Sequence, residues 1–271
     1  CVGLMSIASG RDRPIGKISD GGDTMSKIRV TEPNREILAR RDSIINDLTR
    51  LVDPAGLITS TDECRAYETD ALTAYRKMPL AVVLPKTTEE VSAVLKYCHD
   101  TGVKVVPRGA GTSLAGGAIP SEDAVVLGLS KMNRVLAVNY DDRFIRVEAG
   151  VTNLSVTAVV AENGFFYAPD PSSQLACTIG GNIANNSGGA HCLKYGVTTN
   201  NLLGVRMVLI DGSIIDLGGD YLDSAGLDLL GLVVGSEGQL GIVTEATLRI
   251  LKSAEGARPV LFGFPSCEGA G

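Results

Sequence analysis

The sequence predicts an α+β protein built from two subdomains, and three observations carry that expectation. A strand, a helix and a second strand follow one another between Ala81 and Val106 with short connections, the mark of a βαβ unit with parallel pairing. Further strands follow in the second half, two of them closed by Asp211-Gly212, a dipeptide that supplies the positive φ angles of a tight hairpin turn. Glycine accounts for 32 of the 271 residues, well above the usual ~7%, and the excess gathers in three loops next to these elements.

Composition bounds the rest. Apolar residues make up 44% and charged residues 21% of the chain, which is the balance of a folded globular protein and not of a disordered one. No run approaches the roughly 18 apolar residues needed to cross a bilayer. Lys plus Arg number 25 against 31 Asp plus Glu, a net charge of -6, so no basic field is offered to nucleic acid. Seven Tyr, five Phe and no Trp are few for a base-stacking surface. The six cysteines, at 1, 64, 98, 177, 192 and 267, have only His99 and His191 to join them. That is poor zinc spacing. Reduced thiols in a cytoplasmic protein are the expectation, with Cys98 in a helix core.

Residues 1–24 show neither helical nor strand periodicity, and Met25-Ser26-Lys27 reads as a natural start. A disordered leader is expected there; its apolar patch precedes its arginines, opposite to the order in a secretion signal. Residues 25–78 are read as an N-terminal helical segment, with a helix from Thr31-Glu32-Pro33 to about Val52. A first subsidiary unit over 79–135 holds a strand at Ala81–Leu84 and a helix opened by the capping box Thr87-Thr88-Glu89-Glu90. That helix carries Val91, Val94, Leu95 and Cys98 on one face, ends at Gly102, and leads into a strand at Val103–Val106. A second unit over 136–252 follows, the boundary lying near 130–140. Strands are expected at Ala124–Leu129 and Phe144–Glu148, then a helix capped by Thr152 and ended by Asn163-Gly164. Leu202–Ile210 and Ile214–Leu217 form the hairpin, and Ile242–Leu251 is a last long strand. Pro259–Phe264 reads as one more strand, after which the chain stops where a helix would start. Residues 253–271 are therefore expected to begin a further domain that is cut short.

The first glycine loop, Pro107-Arg108-Gly109-Ala110-Gly111-Thr112-Ser113-Leu114-Ala115-Gly116-Gly117, follows directly on a strand. Bare backbone lets several N–H groups converge on an anion, while Arg108, Thr112 and Ser113 add side-chain donors. Neither the dinucleotide fingerprint nor the Walker A loop fits: Leu114 stands where the first wants its third glycine, and Gly117-Ala118 stand where the second wants Lys-Ser/Thr. Pro120 and the strand near 124 leave no room for a long helix to point at the phosphates. The second loop, Ile179 to Gly189, holds four glycines and three asparagines, groups suited to the edge of a flat polar ring. The third, Gly235-Ser236-Glu237-Gly238-Gln239-Leu240-Gly241, runs into the Ile242 strand. Three such loops suggest one extended ligand with a pyrophosphate and a ring, a dinucleotide whose identity composition does not give.

The segments PRGAGTSLAGGA (107–118), PDPSS (169–173), TIGGNIANNSGGAHCLKYG (178–196) and GSEGQLGIVTEATLRIL (235–251) resemble, in order and spacing, those of the FAD-binding flavoproteins of the vanillyl-alcohol oxidase and p-cresol methylhydroxylase type. Within that type they are similar to the D-subunit of glycolate oxidase and to D-lactate dehydrogenases. The resemblance spans about residues 30–264. It implies a two-subdomain FAD-binding fold of the p-cresol methylhydroxylase type whose substrate cap is missing. It gives Arg108, Gly109, Ala110, Gly111, Thr112, Ser113, Gly116 and Gly117 to the pyrophosphate. Pro169, Cys177, Thr178, Gly180, Gly181, Asn182, Ser187, Gly188 and Gly189 run beside the flavin and its ribityl chain, and Gly196, Glu237, Gly241 and Ile242 are further contacts. Some relatives attach the flavin to a histidine in the first loop; here that loop has none, which implies noncovalent FAD.

The activity that the resemblance implies is oxidation of a D-2-hydroxy acid, glycolate or D-lactate, by hydride transfer to flavin N5. An electron-carrier protein or iron-sulfur subunit would be the acceptor. A D-2-hydroxyglutarate dehydrogenase or an ether-lipid synthase are alternatives within the fold, and a nonenzymatic dinucleotide-binding module is an alternative outside enzymes. In the family, the carboxylate-binding Arg and the metal-holding His and Glu groups lie further along the chain, so no catalytic base and no metal ligand is assigned and the fragment is expected to bind FAD without turnover. His191 and His99 are read as local hydrogen-bonders before acid–base groups, and Cys177 and Cys192 as packing near the flavin.

Overall fold

A computed structural model describes residues 32–221, 226–256 and 258–271; the leader expected at 1–24 lies outside them. Asn34 opens the first helix, its side chain accepting the Glu36 N–H at 2.9 Å. The one helix expected up to Val52 is two, because Arg40 leaves the helical region (φ −97°, ψ 10°) between α1 (Arg35–Ala39) and α2 (Arg41–Leu48). Both press their apolar side, Ile37, Ile44 and Leu48, into the main core.

A short strand β1 (Leu57–Ile58) and a single-turn helix α3 (Thr61–Cys64) precede β2 (Ala81–Val83), α4 (Thr88–Thr101), β3 (Lys104–Arg108) and β4 (Ala124–Gly128). α4 follows its sequence signals closely. Thr87 accepts the Glu90 N–H at 3.2 Å, Gly102 ends the helix at φ 73°, and Val91, Val94, Leu95 and Cys98 are buried. Burial pushes the Cys98 thiol up to about 12, so it stays protonated and inert. The sheet order is β1-β2-β4-β3 with β2 and β3 both parallel to β4. The expected βαβ unit thus forms with β4 between its strands, where all five β4 residues are buried.

The second sheet is antiparallel. Its members are β5 (Val135–Asn139), β6 (Phe144–Glu148), β8 (Leu202–Val208), β9 (Ile214–Gly218) and β10 (Ile242–Arg249), in the order β5-β6-β10-β8-β9. Between β6 and β8 come α5 (Asn153–Val160), β7 (Phe165–Phe166), α6 (Ile179–Asn185) and α7 (Cys192–Tyr195), and α8 (Leu229–Val233) precedes β10. The β8–β9 hairpin turns at Gly212 with φ 86°. The long strand expected to Leu251 stops at Arg249; β11 (Leu251–Lys252) pairs instead with β7.

A further expectation fails. Residues 259–264 form no strand, and Leu261 and Phe262 are 98% and 73% exposed. A strand-like sequence needs an edge to pair with, and among the described residues nothing pairs with this one; only α9 (Cys267–Ala270) follows.

The two sheets are joined by packing. Ala149, Val208 and Ile242 enter the same core cluster as α4 and the first sheet. Thr88 Oγ1 donates to Thr244 Oγ1 at 3.0 Å across the join, fully buried. Lys104 at the start of β3 sits 2.8 Å from the buried Asp123 carboxylate, which also accepts from Ser121 at 2.6 Å and from the Asn34 N–H at 2.8 Å. Among the described residues no helix is long and apolar enough to cross a membrane.

Candidate functional site

All three glycine loops border one cleft between the sheets. The first leaves β3 at Arg108 and runs to β4 without forming a helix. Its outer side is strapped by residues 69–71. The Ala71 N–H donates to the Gly111 carbonyl at 3.0 Å, the Gly116 N–H donates to Asp70 Oδ2 at 2.9 Å, and Arg108 Nη1 donates to the Thr69 carbonyl at 2.7 Å and the Ala118 carbonyl at 3.3 Å. The guanidinium also lies over the Tyr67 ring, 5.5 Å from its centroid. Burial lowers the Arg108 pKa, opposed by Tyr67 and Asp70. The Arg108 side chain is thus largely committed to holding the loop's shape.

With the ends strapped, the middle is left open. Among the described residues, the backbone N–H groups of Ala110, Gly111, Thr112, Ser113 and Leu114 have no hydrogen-bond partner. Four of them, Ala110 to Ser113, line the cleft; consecutive free donors there are an arrangement suited to an anion, and unpaired backbone groups of this kind call for a ligand or solvent.

The first part of the second cluster, Ile179–Asn185, is a helix and not a loop. α6 contains Gly180, Gly181 and two asparagines, all poor helix formers, yet Thr178 caps it by accepting the Gly181 N–H at 3.3 Å. The helix is pinned to the end of β6, with the Gly180 N–H on the Ala149 carbonyl at 2.8 Å and the Ile179 N–H on the Val151 carbonyl at 2.9 Å. Its first-turn donors are therefore already used, and the start of α6 offers no free N–H to the cleft. A Cβ on Gly180 would meet Ala149 Cβ at 3.0 Å, and one on Gly109 would meet Thr178 Oγ1 at 2.5 Å. The two backbones pass too closely for side chains.

Inside, Asn153 Nδ2 donates to Asn182 Oδ1 at 2.9 Å and to the Pro169 carbonyl at 3.1 Å, while Asn182 Nδ2 donates to Cys177 Sγ at 3.2 Å. This buried chain ties the 169–178 turn to α6.

The third loop is stapled to α6 by backbone. The Gly235 N–H donates to the Ile183 carbonyl at 2.9 Å and the Glu237 N–H to the Ala184 carbonyl at 2.8 Å. Glu237 has φ 54°, in the left-handed region.

The sequence-derived site residues divide into two groups. Arg108 to Ser113, Gly117, Cys177, Thr178, Gly180, Gly181, Asn182, Ser187, Glu237, Gly241 and Ile242 line the cleft. Gly116, Pro169, Gly188, Gly189 and Gly196 do not, and their contacts are positional: a Cβ on Gly188 would strike Cys192 Sγ, on Gly189 the Asp170 carbonyl, and on Gly196 Asn200 Oδ1. Sequence reading missed Asp70 and Thr69, which hold the first loop from a segment about forty residues away; nothing local in Glu68-Thr69-Asp70 signals it. It also missed the partner of His191. Asp170 Oδ2 lies 2.7 Å from His191 Nδ1, and Oδ1 accepts the His191 N–H at 3.1 Å. His191 bonds to Asp170 in another turn, clamping the 188–196 turn to the 169–173 turn. Among the described residues no cluster of three His, Cys, Asp or Glu could hold a metal.

Residues 79–218 match the FAD binding domain family. The chain is 48% identical over 231 residues to the glycolate oxidase subunit GlcD of Escherichia coli, covering 85% of this chain and 46% of that one. It is 39% identical to the D-lactate dehydrogenase of Archaeoglobus fulgidus (84% and 51% covered) and 36% identical to the D-2-hydroxyglutarate dehydrogenase of Xanthomonas citri pv. viticola (84% and 48%). Among solved structures, an alkyldihydroxyacetonephosphate synthase superposes with a TM-score of 0.69 at 23% identity, covering 79% of this chain and 44% of that one. That likeness shows the fold expected from the sequence. The chain spans about half the length of the curated relatives it matches.

Proposed function

Because the chain belongs to the FAD binding domain family, we propose that it is the FAD-binding part of an oxidoreductase acting on a D-2-hydroxy acid, glycolate or D-lactate. The observation that carries the cofactor assignment to particular residues is the run of free N–H groups from Ala110 to Ser113 in a cleft shared with α6 and the Glu237 loop.

Those N–H groups, with the Thr112 and Ser113 hydroxyls and Gly117, receive the pyrophosphate oxygens. Arg108 shapes the loop and lends it positive charge. Cys177, Thr178, Gly180, Gly181, Asn182 and Ser187 form the wall along which the flavin and its ribityl chain lie, with Glu237, Gly241 and Ile242 on the remaining side. Gly116, Pro169, Gly188, Gly189 and Gly196 keep these segments in place. Bound there, FAD supplies hydride acceptance; the chain binds and orients it and excludes water from its faces. The absence of a histidine between Arg108 and Gly117 supports noncovalent attachment.

The substrate reading rests on similarity to proteins named for glycolate, D-lactate and D-2-hydroxyglutarate. An electron-carrier protein or iron-sulfur subunit as acceptor belongs to the same reading. A cytoplasmic location is supported by the unpaired cysteines, of which Cys64, Cys98 and Cys177 are buried. We place the subdomain boundary at 135/136, within a residue of the start of β5, and residues 253–271 at the start of a further domain.

The reading is tested by reconstituting the 271-residue chain with FAD and mixing it anaerobically with D-lactate or glycolate. FAD is held and stays oxidised; bleaching of the bound flavin by either acid would overturn the reading that this part of the chain binds FAD without turnover.

A further inference from the structure

α7 and the turn around it are fixed from within. The Gly189 N–H donates to Cys192 Sγ at 2.9 Å, Asn201 Nδ2 donates to the Tyr195 carbonyl at 3.0 Å, and the Tyr195 ring meets Phe166 edge-on with centroids 5.5 Å apart. The Asp170 carboxylate holds His191 by both ring and backbone. Yet Leu193 in α7 is fully exposed, and Leu175, in the turn to which α7 is clamped, is 78% exposed. Lys194 Nζ lies 5.0 Å from the Tyr195 centroid and has no acidic partner among the described residues. Single exposed leucines are ordinary. A turn tip that ends in solvent, however, is usually mobile and polar, whereas this one is held at several points and presents apolar side chains.

The course of the backbone indicates what covers it. Leu251 and Lys252 pair with Phe166 and Phe165, and the Ser253 N–H donates to the Gly164 carbonyl at 2.8 Å. The chain therefore leaves the second sheet beside the Phe166–Tyr195 contact, next to α7. The relatives named above are about twice as long as the part of them that this chain matches. We propose that the α7 turn is the seat of the polypeptide that follows residue 253 in a longer parent protein: apolar side chains of that part cover Leu193 and Leu175, and one of its carboxylates meets Lys194. The two parts are thus joined through a preformed surface and not by a linker alone. The inference rests on the reading that residues 253–271 begin a further domain, and it is independent of the cofactor.

Hydrogen exchange is compared between the 271-residue chain and the protein encoded by the complete reading frame, at the same excess of FAD. The amides of α7 exchange about tenfold or more slowly in the longer protein. Leu193→Asp leaves the thermal midpoint of the 271-residue chain within about 2 °C, as exposed substitutions do. It lowers that of the longer protein by about 4 °C or more, because a charge is then buried against apolar groups, while Leu193→Met moves neither midpoint beyond about 2 °C. Equal exchange of α7 in both proteins, or an equal shift for Leu193→Asp in both, overturns this inference alone. Protection of α7 that grows with the concentration of the 271-residue chain assigns the face to a second copy and overturns it as well. A reading frame that ends at Gly271 overturns the further-domain reading and this inference with it.

Discussion

The hydroxyl of Thr178 stands 2.5 Å from the point where a Cβ on Gly109 would be. The residue that caps α6 is therefore the one that forbids a side chain in the first glycine loop, and two segments about seventy residues apart share one packing constraint. Gly109→Ala is expected to lower FAD affinity about tenfold, in line with the ~1–3 kcal/mol of a small overpacking. Thr178→Ala on the same background restores part of it, although the lost cap lowers stability by about 1 kcal/mol. Flavin titrations of the single and double variants check the coupling; additive losses would argue against it.

Arg108 is the fulcrum of the strap. Lysine keeps the charge but, being shorter and compact, does not place a donor where Arg108 Nη1 bonds both the Thr69 and Ala118 carbonyls, nor a planar cation over the Tyr67 ring. Arg108→Lys should destabilise the chain by about 2 kcal/mol and expose the 69–72 segment to hydrogen exchange before the rest. Unchanged protection there would contradict the strap.

How much of this was legible beforehand varied with how local the cause is. α4 announces itself through Thr87, Gly102 and a four-residue apolar face, and it forms within a residue of expectation. α6 does not, because Gly180, Gly181 and two asparagines disfavour helix by up to about 1 kcal/mol each and only the contacts with Ala149 and Val151 overcome it. The 259–264 segment has strand chemistry without a strand, since pairing depends on a neighbour and not on propensity. Asp70 and the Asp170 partner of His191 were invisible for the same reason: each acts across a fold that the spacing of residues does not reveal. The anion loop was legible as a loop; that its middle donors stay free depends on the strap that occupies its ends.

The Asp170–His191 clamp predicts an order of effects. Asp170→Ala removes both bonds to His191 and loosens the 188–196 turn by about 1 kcal/mol. His191→Ala keeps the backbone bond and costs less, as exposed pairs do. Limited proteolysis should cut this turn fastest in the Asp170 variant. Equal rates in the two variants would show that the ring contact, and not the backbone contact, holds the turn.

Acid stability should depend on Asp123. Burial pushes its carboxyl up, but the Lys104 ammonium, the Ser121 hydroxyl and the Asn34 N–H together hold it below the usual carboxylate range. A depressed folded-state value means that the stabilisation is complete above the unfolded value of about 3.9 and is lost as pH falls through the folded value. Asp123→Ala should therefore cost about 3 kcal/mol near neutrality, as breaking a buried pair does, and flatten the loss of stability in acid. Denaturant unfolding at several pH values measures it; parallel acid profiles for variant and wild type would refute the assignment.

Everything functional depends on one ligand lying across the three glycine segments, and a binding measurement on the purified 271-residue chain addresses that most directly. Titrated with FAD, the chain should turn yellow, quench the flavin and release intact FAD on denaturation, and Gly109→Ala should weaken each of these. A folded chain that leaves FAD free in solution, or that binds it equally well with Gly109 replaced, would contradict the account.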